Sequence, residues 1–368
     1  MKLVFTIIVF SISLKTWAFP ENVRHGYFSC IACHSSPSGG GVLTPYGRSL
    51  SAELMSTWGT TKTSGLFFTD DEDESKNIPW WRTAVFLKGV QTRRNTPTVE
   101  KAQFIPMQAD LETGYDQDKL AIIVTGGYRA KDNSSQNLNE FFSRRHYALY
   151  RVNDNLNVRA GKFMFSFGLD GPDHITATRR GLGWDQGTES YNLEASYLTE
   201  NFSTLFTIIS SSPDEKTFQK DSGVAVNSSW YLFDNSKIGI SAFQGEQSSY
   251  KRFVYGPYMI LSLTDKLYLD SEIFLQDKDL KSSPAERQNG YATFHRLGYE
   301  AVKGLTPYIQ FDRSYLDNSD RNSQYDSYGA GFQWLPYPHF EAFTFIGKEQ
   351  AYGQQATDFW WLMLSIYL

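Results

Sequence analysis

The sequence predicts an all-β protein: a closed antiparallel outer-membrane β barrel of about 16 strands, preceded by a small N-terminal segment with one short helix. Three observations lead there. From Trp80 onward the chain repeats stretches of about ten residues, rich in Tyr, Phe, Val and Ile, in which one parity is apolar and the other polar. Short turns alternate with longer, Ser/Asn/Asp-rich connections. Beyond its N-terminus the 368-residue chain has no apolar run of about eighteen residues, so a helix cannot cross a bilayer but strands can.

The elements follow in order. Residues 1–18, MKLVFTIIVFSISLKTWA, combine basic Lys2, an apolar stretch and small Ala18, which reads as a cleaved signal peptide. The mature chain then starts near Phe19. Within residues 19–69, "RSLSAELMSTWG" (48–59) predicts the helix, capped by Ser49 or Ser51, with Leu50, Leu54 and Met55 on one face. The preceding "SPSGGG" is loop. Residues 70–79 open with "DDEDE", a solvated acidic linker rather than a cation site.

Residues 80–368 form the barrel, with strands starting near 82, 104, 119, 144, 156, 189, 201, 221, 236, 252, 266, 290, 304, 325, 338 and 357. In "LTPYIQFDRS", Leu305, Pro307, Ile309 and Phe311 oppose Thr306, Tyr308, Gln310 and Asp312. In "KLYLDSEIFLQ", Leu267, Leu269, Ile273 and Leu275 oppose Tyr268, Asp270, Glu272 and Gln276. In "MQADLETGY", Met107, Ala109, Leu111 and Tyr115 oppose Gln108, Asp110 and Glu112. Carboxylates recur opposite the hydrophobes. Short turns fall at 116–118, 153–155, 199–201, 234–236, 264–266, 303–304 and 336–338; longer connections include 129–143, 166–188, 277–289 and 315–324. A water-soluble β-sandwich also alternates, but it does not predict one-sided loop lengths. Nor does it predict aromatics near strand ends, such as Trp80, Trp81, Trp334, Tyr337, Trp360 and Trp361, which suit an interfacial girdle. The terminal "DFWWLMLSIYL" alternates as a last strand should, although it ends on Leu368 rather than an aromatic residue.

A formal charge of −5 excludes a nucleic-acid footprint. Only two cysteines occur, in "SCIACHSSPSGGG" (29–41). Export permits a disulfide or redox pair at Cys30 and Cys33. His34, directly after the second thiol, instead completes C-x-x-C-H, the attachment pattern of c-type haem: two thioether bonds and an axial histidine on iron. Zinc needs further Cys or His ligands at suitable spacing, and the sequence offers none. The sixth iron position has two candidates, His25, which is favoured, and Met55; a loop residue and a helix-packing residue are their ordinary readings. In the long connection 166–188, Asp170, Asp173, His174, Arg179 and Arg180 would line a constriction if it folds inward, or sit on an ordinary external loop.

A monohaem C-x-x-C-H segment ahead of a barrel resembles the fused porin-cytochrome c proteins of bacterial outer membranes, including the outer-membrane iron oxidases. The resemblance covers the mature chain as architecture and five residues as motif. It implies one covalent haem c on Cys30 and Cys33, ligated by His34. It also implies electron transfer across or at the outer membrane, between an extracellular redox substrate such as ferrous iron and soluble periplasmic cytochromes. No matched iron-binding motif occurs on the outer connections, so the substrate is left open. The competing reading is a diffusion porin whose N-terminal segment is a structural or regulatory plug.

Overall fold

The computed structural model describes residues 23, 25–27, 29–50, 55–59, 80–96, 99–128, 141–171, 173, 175–184, 187–210, 221–232, 235–282 and 287–367. The expected signal peptide (1–18), the acidic linker (70–79), Ser51, Leu54 and His174 lie outside them.

Strands run in meander order. β1 (Trp81–Asn95), β2 (Glu100–Gln117) and β3 (Leu120–Tyr128) are followed by β4 (Phe141–Phe142) and β5 (His146–Arg151). Both β4 and β5 pair with β3, so they are two pieces of one barrel position. Then come β6 (Leu156–Phe163), β7 (Ser190–Leu198), β8 (Phe202–Ser210), β9 (Ser222–Leu232), β10 (Ser236–Glu246) and β11 (Tyr250–Ser262). The series ends with β12 (Leu267–Leu280), β13 (Arg287–Tyr299), β14 (Leu305–Tyr315), β15 (Gln324–Trp334), β16 (Phe340–Ala351) and β17 (Thr357–Tyr367). Every pairing is antiparallel, and β1 pairs with both β2 and β17, from Phe86↔Tyr367 to Asn95↔Asp358. The sheet therefore closes with sixteen positions and no open edge, the solution by which strands satisfy every backbone group in lipid.

The alternation read from sequence holds for β12 and β14, where Asp270, Glu272 and Asp312 face inward while Ile273, Leu275 and Ile309 are exposed on the outer wall. It fails at Met107. A register shift between Lys88 and Gly89 places a bulge at Pro106–Met107, so beyond it Ile105 and Met107 pack against the inner cluster with Val90. A bulge adds one residue to one strand and flips its parity, which no periodicity reveals. Trp361 departs as well. It packs inside against Phe343 at 5.1 Å rather than standing in a girdle. The girdle exists at the turn end: Trp80, Trp81, Tyr150, Tyr197, Trp230, Tyr299 and Tyr337 are all exposed beside the short turns. With the aliphatic belt above it, this wall requires lipid, since such an apolar area far exceeds any patch a soluble monomer exposes. The protein is an outer-membrane barrel.

Two outer connections, 96–99 and 247–249, are as short as the inner turns, and β12 and β13 consume most of the expected 277–289 loop. The described residues of both the N-terminal segment and the 164–189 connection pack against the inner wall.

Candidate functional site

The N-terminal insert is built from tight turns. A 3-10 turn spans Cys30–Ala32, with the amide of Cys33 donating to the Cys30 carbonyl at 3.2 Å and that of His34 at 2.9 Å. Such a turn brings residues three apart close together, and here Cys30 borders a cavity while Cys33 is fully buried. The thiols are not joined to each other. Burial raises both; Cys33 is pushed up to about 12, with neighbouring Cys30 adding to the effect. A redox pair instead depresses its attacking thiol toward neutrality. Three consecutive left-handed glycines, Gly39, Gly40 and Gly41, fold the chain back over the motif. Gly39 lies beside Cys30 and the His34 ring, and its left-handed φ of +78° is what favours glycine there, since a Cβ would make only ordinary contacts at 3.4 to 3.9 Å.

The helix starts earlier than expected: α1 covers Pro45–Leu50, and residues 51–54 of the expected helix lie outside the described residues. Thr44, not Ser49 or Ser51, caps it, its hydroxyl accepting from Gly47 N at 3.0 Å, and Pro45 occupies the first helical position. The Thr-Pro pair was the signal to read. Gly47 lets α1 rest on the Cys33 backbone, and Leu50 and Tyr27 bury Cys33 completely.

The His25 side chain and the Met55 backbone both meet one inner turn, 300–304. His25 Nε2 lies 3.5 Å from Glu300 Oε2, and Gly304 packs directly on the Met55 carbonyl. The insert is fastened there: Thr57 N donates to Leu335 O at 2.8 Å, Trp58 N to Pro336 O at 2.9 Å, and Trp334 Nε1 to Thr57 Oγ1 at 3.1 Å.

Inward carboxylates of the wall, from Asp116 beside the β2–β3 turn upward, also hold the insert. Ser35 Oγ donates to Asp116 at 2.6 Å, and that carboxylate also takes Arg82 at 2.9 Å and Arg151 at 2.8 Å. Glu112 accepts from Val42 N at 2.6 Å and pairs with Arg145 at 2.9 Å. Arg159 donates to Ser36 at 2.7 Å and Ser38 at 3.1 Å while paired with Glu194. Asp110 and Glu112 were visible as inward carboxylates; Arg159 and Glu194 were missed, although their inward parity in β6 and β7 marks them.

The 164–189 connection folds inward and is held the same way. Leu169 N donates to Glu272 at 2.7 Å, Ala177 N to Asp312 at 3.1 Å, and Asp173 pairs with Arg296 at 2.7 Å. Asp170, in a left-handed conformation, takes Arg179 at 3.0 Å together with Ser166. Asp170, Asp173 and Arg179 are thus structural ion pairs, whereas Arg180 stays exposed. Phe167, Trp184, Phe243 and Phe274 lock the loop to the wall, with rings 4.5 to 5.2 Å apart.

Between the two inserts and the wall lies a small cavity of about 30 Å3, lined by Ser29, Cys30, Ser38, Asp170, Ser229 and Lys237 among others. The donor set and its spacing suit a covalent haem; of the three residues only Cys30 lines this cavity, while Cys33 is packed under Leu50 and Tyr27.

No protein-family model and no curated protein sequence matches the chain. Solved structures do. OmpT of Vibrio cholerae superposes with a TM-score of 0.61 at 10% identity, over 79% of this chain and 99% of that one. An anion-selective porin from Comamonas acidovorans gives 0.61 at 8% over 78% and 99%, and OprB of Pseudomonas putida 0.60 at 8% over 86% and 99%. At such identities the likeness concerns fold, and by fold the chain is an outer-membrane porin-type β barrel.

Proposed function

We propose that this barrel carries one covalent c-type haem on Cys30 and Cys33, with His34 on the iron, and passes electrons across the outer membrane between an extracellular redox partner and soluble periplasmic cytochromes. The observation that carries the reading is the position of the C-x-x-C-H turn: it sits in the lumen, with Cys30 facing a cavity, rather than below the barrel mouth. A single redox centre serves a membrane of about 30 Å only if it is drawn up into the tube.

Bound haem supplies a one-electron Fe(II)/Fe(III) couple. The chain supplies the rest. His34 is held by the backbone bond of its own turn to Cys30, with the left-handed Gly39 loop beside it, and would be the iron's axial ligand. His25 and Met55 are the distal candidates, each held at turn 300–304.

A second reading has its own support. The structural neighbours are porins and channels, one of them anion-selective, so the comparisons speak for a diffusion porin with a structural plug and carry nothing for haem. Full-length protein purified from detergent-solubilised outer membranes separates the two. A Soret band and a haem-stained band surviving denaturing electrophoresis, both lost in Cys33→Ala, support the redox barrel. Colourless protein with large steady conductance in planar bilayers establishes the porin instead.

A further inference from the structure

We propose that the cavity beside Cys30 is a carboxylate-binding site whose cation is Lys237. Its walls are the turn-end halves of β8 to β11, which contribute Ser203, Ser229, Tyr231, Lys237 and Tyr258; the N-terminal insert closes one side and the 164–189 loop another. Lys237 lies on the inward parity of β10, in line with Gly239, Ser241 and Phe243. Its ammonium faces two aromatic rings, Tyr231 at 6.0 Å and Tyr258 at 5.7 Å.

Charge balance points to an anion. Among the described residues Lys237 makes no ion pair, while nearly every inward Arg nearby is matched to a carboxylate. The one carboxylate lining the cavity, Asp170, is already engaged by Arg179 at 3.0 Å, by Ser166 and by Phe167 N at 3.2 Å. With Arg179 counted beside its partner Asp170, the group Lys237, Asp170 and Arg179 sums to +1, and aromatic faces replace only part of the hydration an ammonium loses on burial. Hydroxyl groups complete the lining: Ser203 and Ser229 bond each other at 2.6 Å, and Tyr231 donates to Ser203 at 3.3 Å. A cation with several rotatable hydroxyls suits a carboxylate, which accepts up to four hydrogen bonds.

Such a carboxylate has two sources. One is a propionate of the porphyrin carried by neighbouring Cys30, which rests on the haem reading above. The other is a small free carboxylate moving through the lumen, which does not.

The experiment uses the full-length chain in two forms, haem-loaded and haem-free, each as wild type, Lys237→Gln and Lys237→Arg, with assembly checked by heat-modifiable gel mobility. In the loaded form the midpoint potential is measured from pH 5 to 9. A propionate on Lys237 predicts a lower potential and an altered pH-dependent step in Lys237→Gln, with Lys237→Arg close to wild type. In the haem-free form, acetate and succinate binding is followed by calorimetry. A free-carboxylate site predicts saturable binding that weakens at least tenfold in Lys237→Gln and is retained in Lys237→Arg. Either result supports the site and identifies its source; if the protein never carries haem, the second arm alone decides. Unchanged potential together with no Lys237-dependent binding overturns the proposal. Should Lys237→Gln not assemble, Ser229→Ala, which keeps the cation, is read in the same two arms, and a null there in both overturns the proposal equally.

Discussion

Arg159 and Glu194 form an ion pair of 2.8 Å on neighbouring strands inside the barrel, with side chains 2% and 1% exposed, and the same guanidinium reaches Ser36 and Ser38 of the N-terminal insert. It also lies over the Phe163 ring at 3.7 Å. One side chain thus joins the wall to the insert. Removing it strands Glu194 as an unpaired buried charge, which costs about 3–5 kcal/mol, whereas removing both charges together costs far less. Arg159→Ala is expected to lower the urea midpoint markedly and to expose the 35–41 turn to proteolysis. Arg159→Met with Glu194→Leu recovers most of the stability but leaves the turn cleavable. Equal stability of the single and double variants would count against the ion pair as the anchor.

The insert is also held by what it lacks. Gly41 has φ +73°, and a Cβ there would run into the Glu112 carboxylate that accepts from Val42 N. Gly41→Ala therefore combines a left-handed penalty of about 1–2 kcal/mol with displacement of that hydrogen bond. Raised conductance and loss of protection in residues 35–45 by hydrogen exchange are the expected readouts. Gly183→Ala, also left-handed but with nothing near its Cβ direction, is the control that isolates the clash.

Much of this architecture was legible because barrels write a simple rule into sequence. Strand starts, alternation and turns follow from a period of two and from Asn/Asp/Gly chemistry, so β12 and β14 were readable residue by residue. The rule fails where one backbone event resets parity, as at the Pro106–Met107 bulge, and where an aromatic residue serves the interior, as Trp361 does. The Cys30–His34 spacing stands out in the sequence, and it folds into one tight turn. Its fastening was not readable: Arg159, Glu194 and Lys237 acquire meaning only when strands far apart in sequence close around an insert. The helix shows a smaller lesson, since Thr44 and Pro45 outweigh the apolar spacing of Leu50, Leu54 and Met55.

His339 sits in the turn between β15 and β16, 4% exposed, and burial pushes its imidazole down to about 4, with Arg48 nearby adding to the effect. The folded protein keeps it neutral. The unfolded chain takes up a proton near its ordinary pKa of about 6.5, so stability is full above that pH. It declines as pH falls from about 6.5 to 4, by at most about 3 kcal/mol, and this contribution levels off below. His339→Asn removes the titration while tolerating the left-handed backbone of φ +66°. The wild-type urea midpoint should therefore fall more than the variant's between pH 7 and 4. Parallel curves would mean that the carboxylates, not His339, set acid sensitivity.

Trp184 decides whether the 164–189 loop stays inside the tube. Its ring packs on Phe167 at 4.5 Å, Phe243 at 5.2 Å and Phe165 at 5.3 Å, Arg252 lies 4.9 Å above it, and Nε1 donates to Asp221 at 3.1 Å. Trp184→Ala leaves a large void, with a cost of about 3–5 kcal/mol. The loop's polar anchors to Glu272, Asp312 and Arg296 remain, and each hydrogen bond contributes about 1 kcal/mol net, more where a charge is involved. Packing and anchors are thus comparable, so the variant should still fold but open the loop part of the time. Trp184→Phe keeps the ring stack and loses only the Asp221 bond, because Arg252 still pairs with that carboxylate. The expected order of single-molecule conductance noise is Ala above Phe, with Phe near wild type, and the order of thermal stability is the reverse. Quiet, wild-type-like conductance in Trp184→Ala would show that the polar anchors alone fix the loop, and that the aromatic cluster serves the barrel wall rather than the constriction.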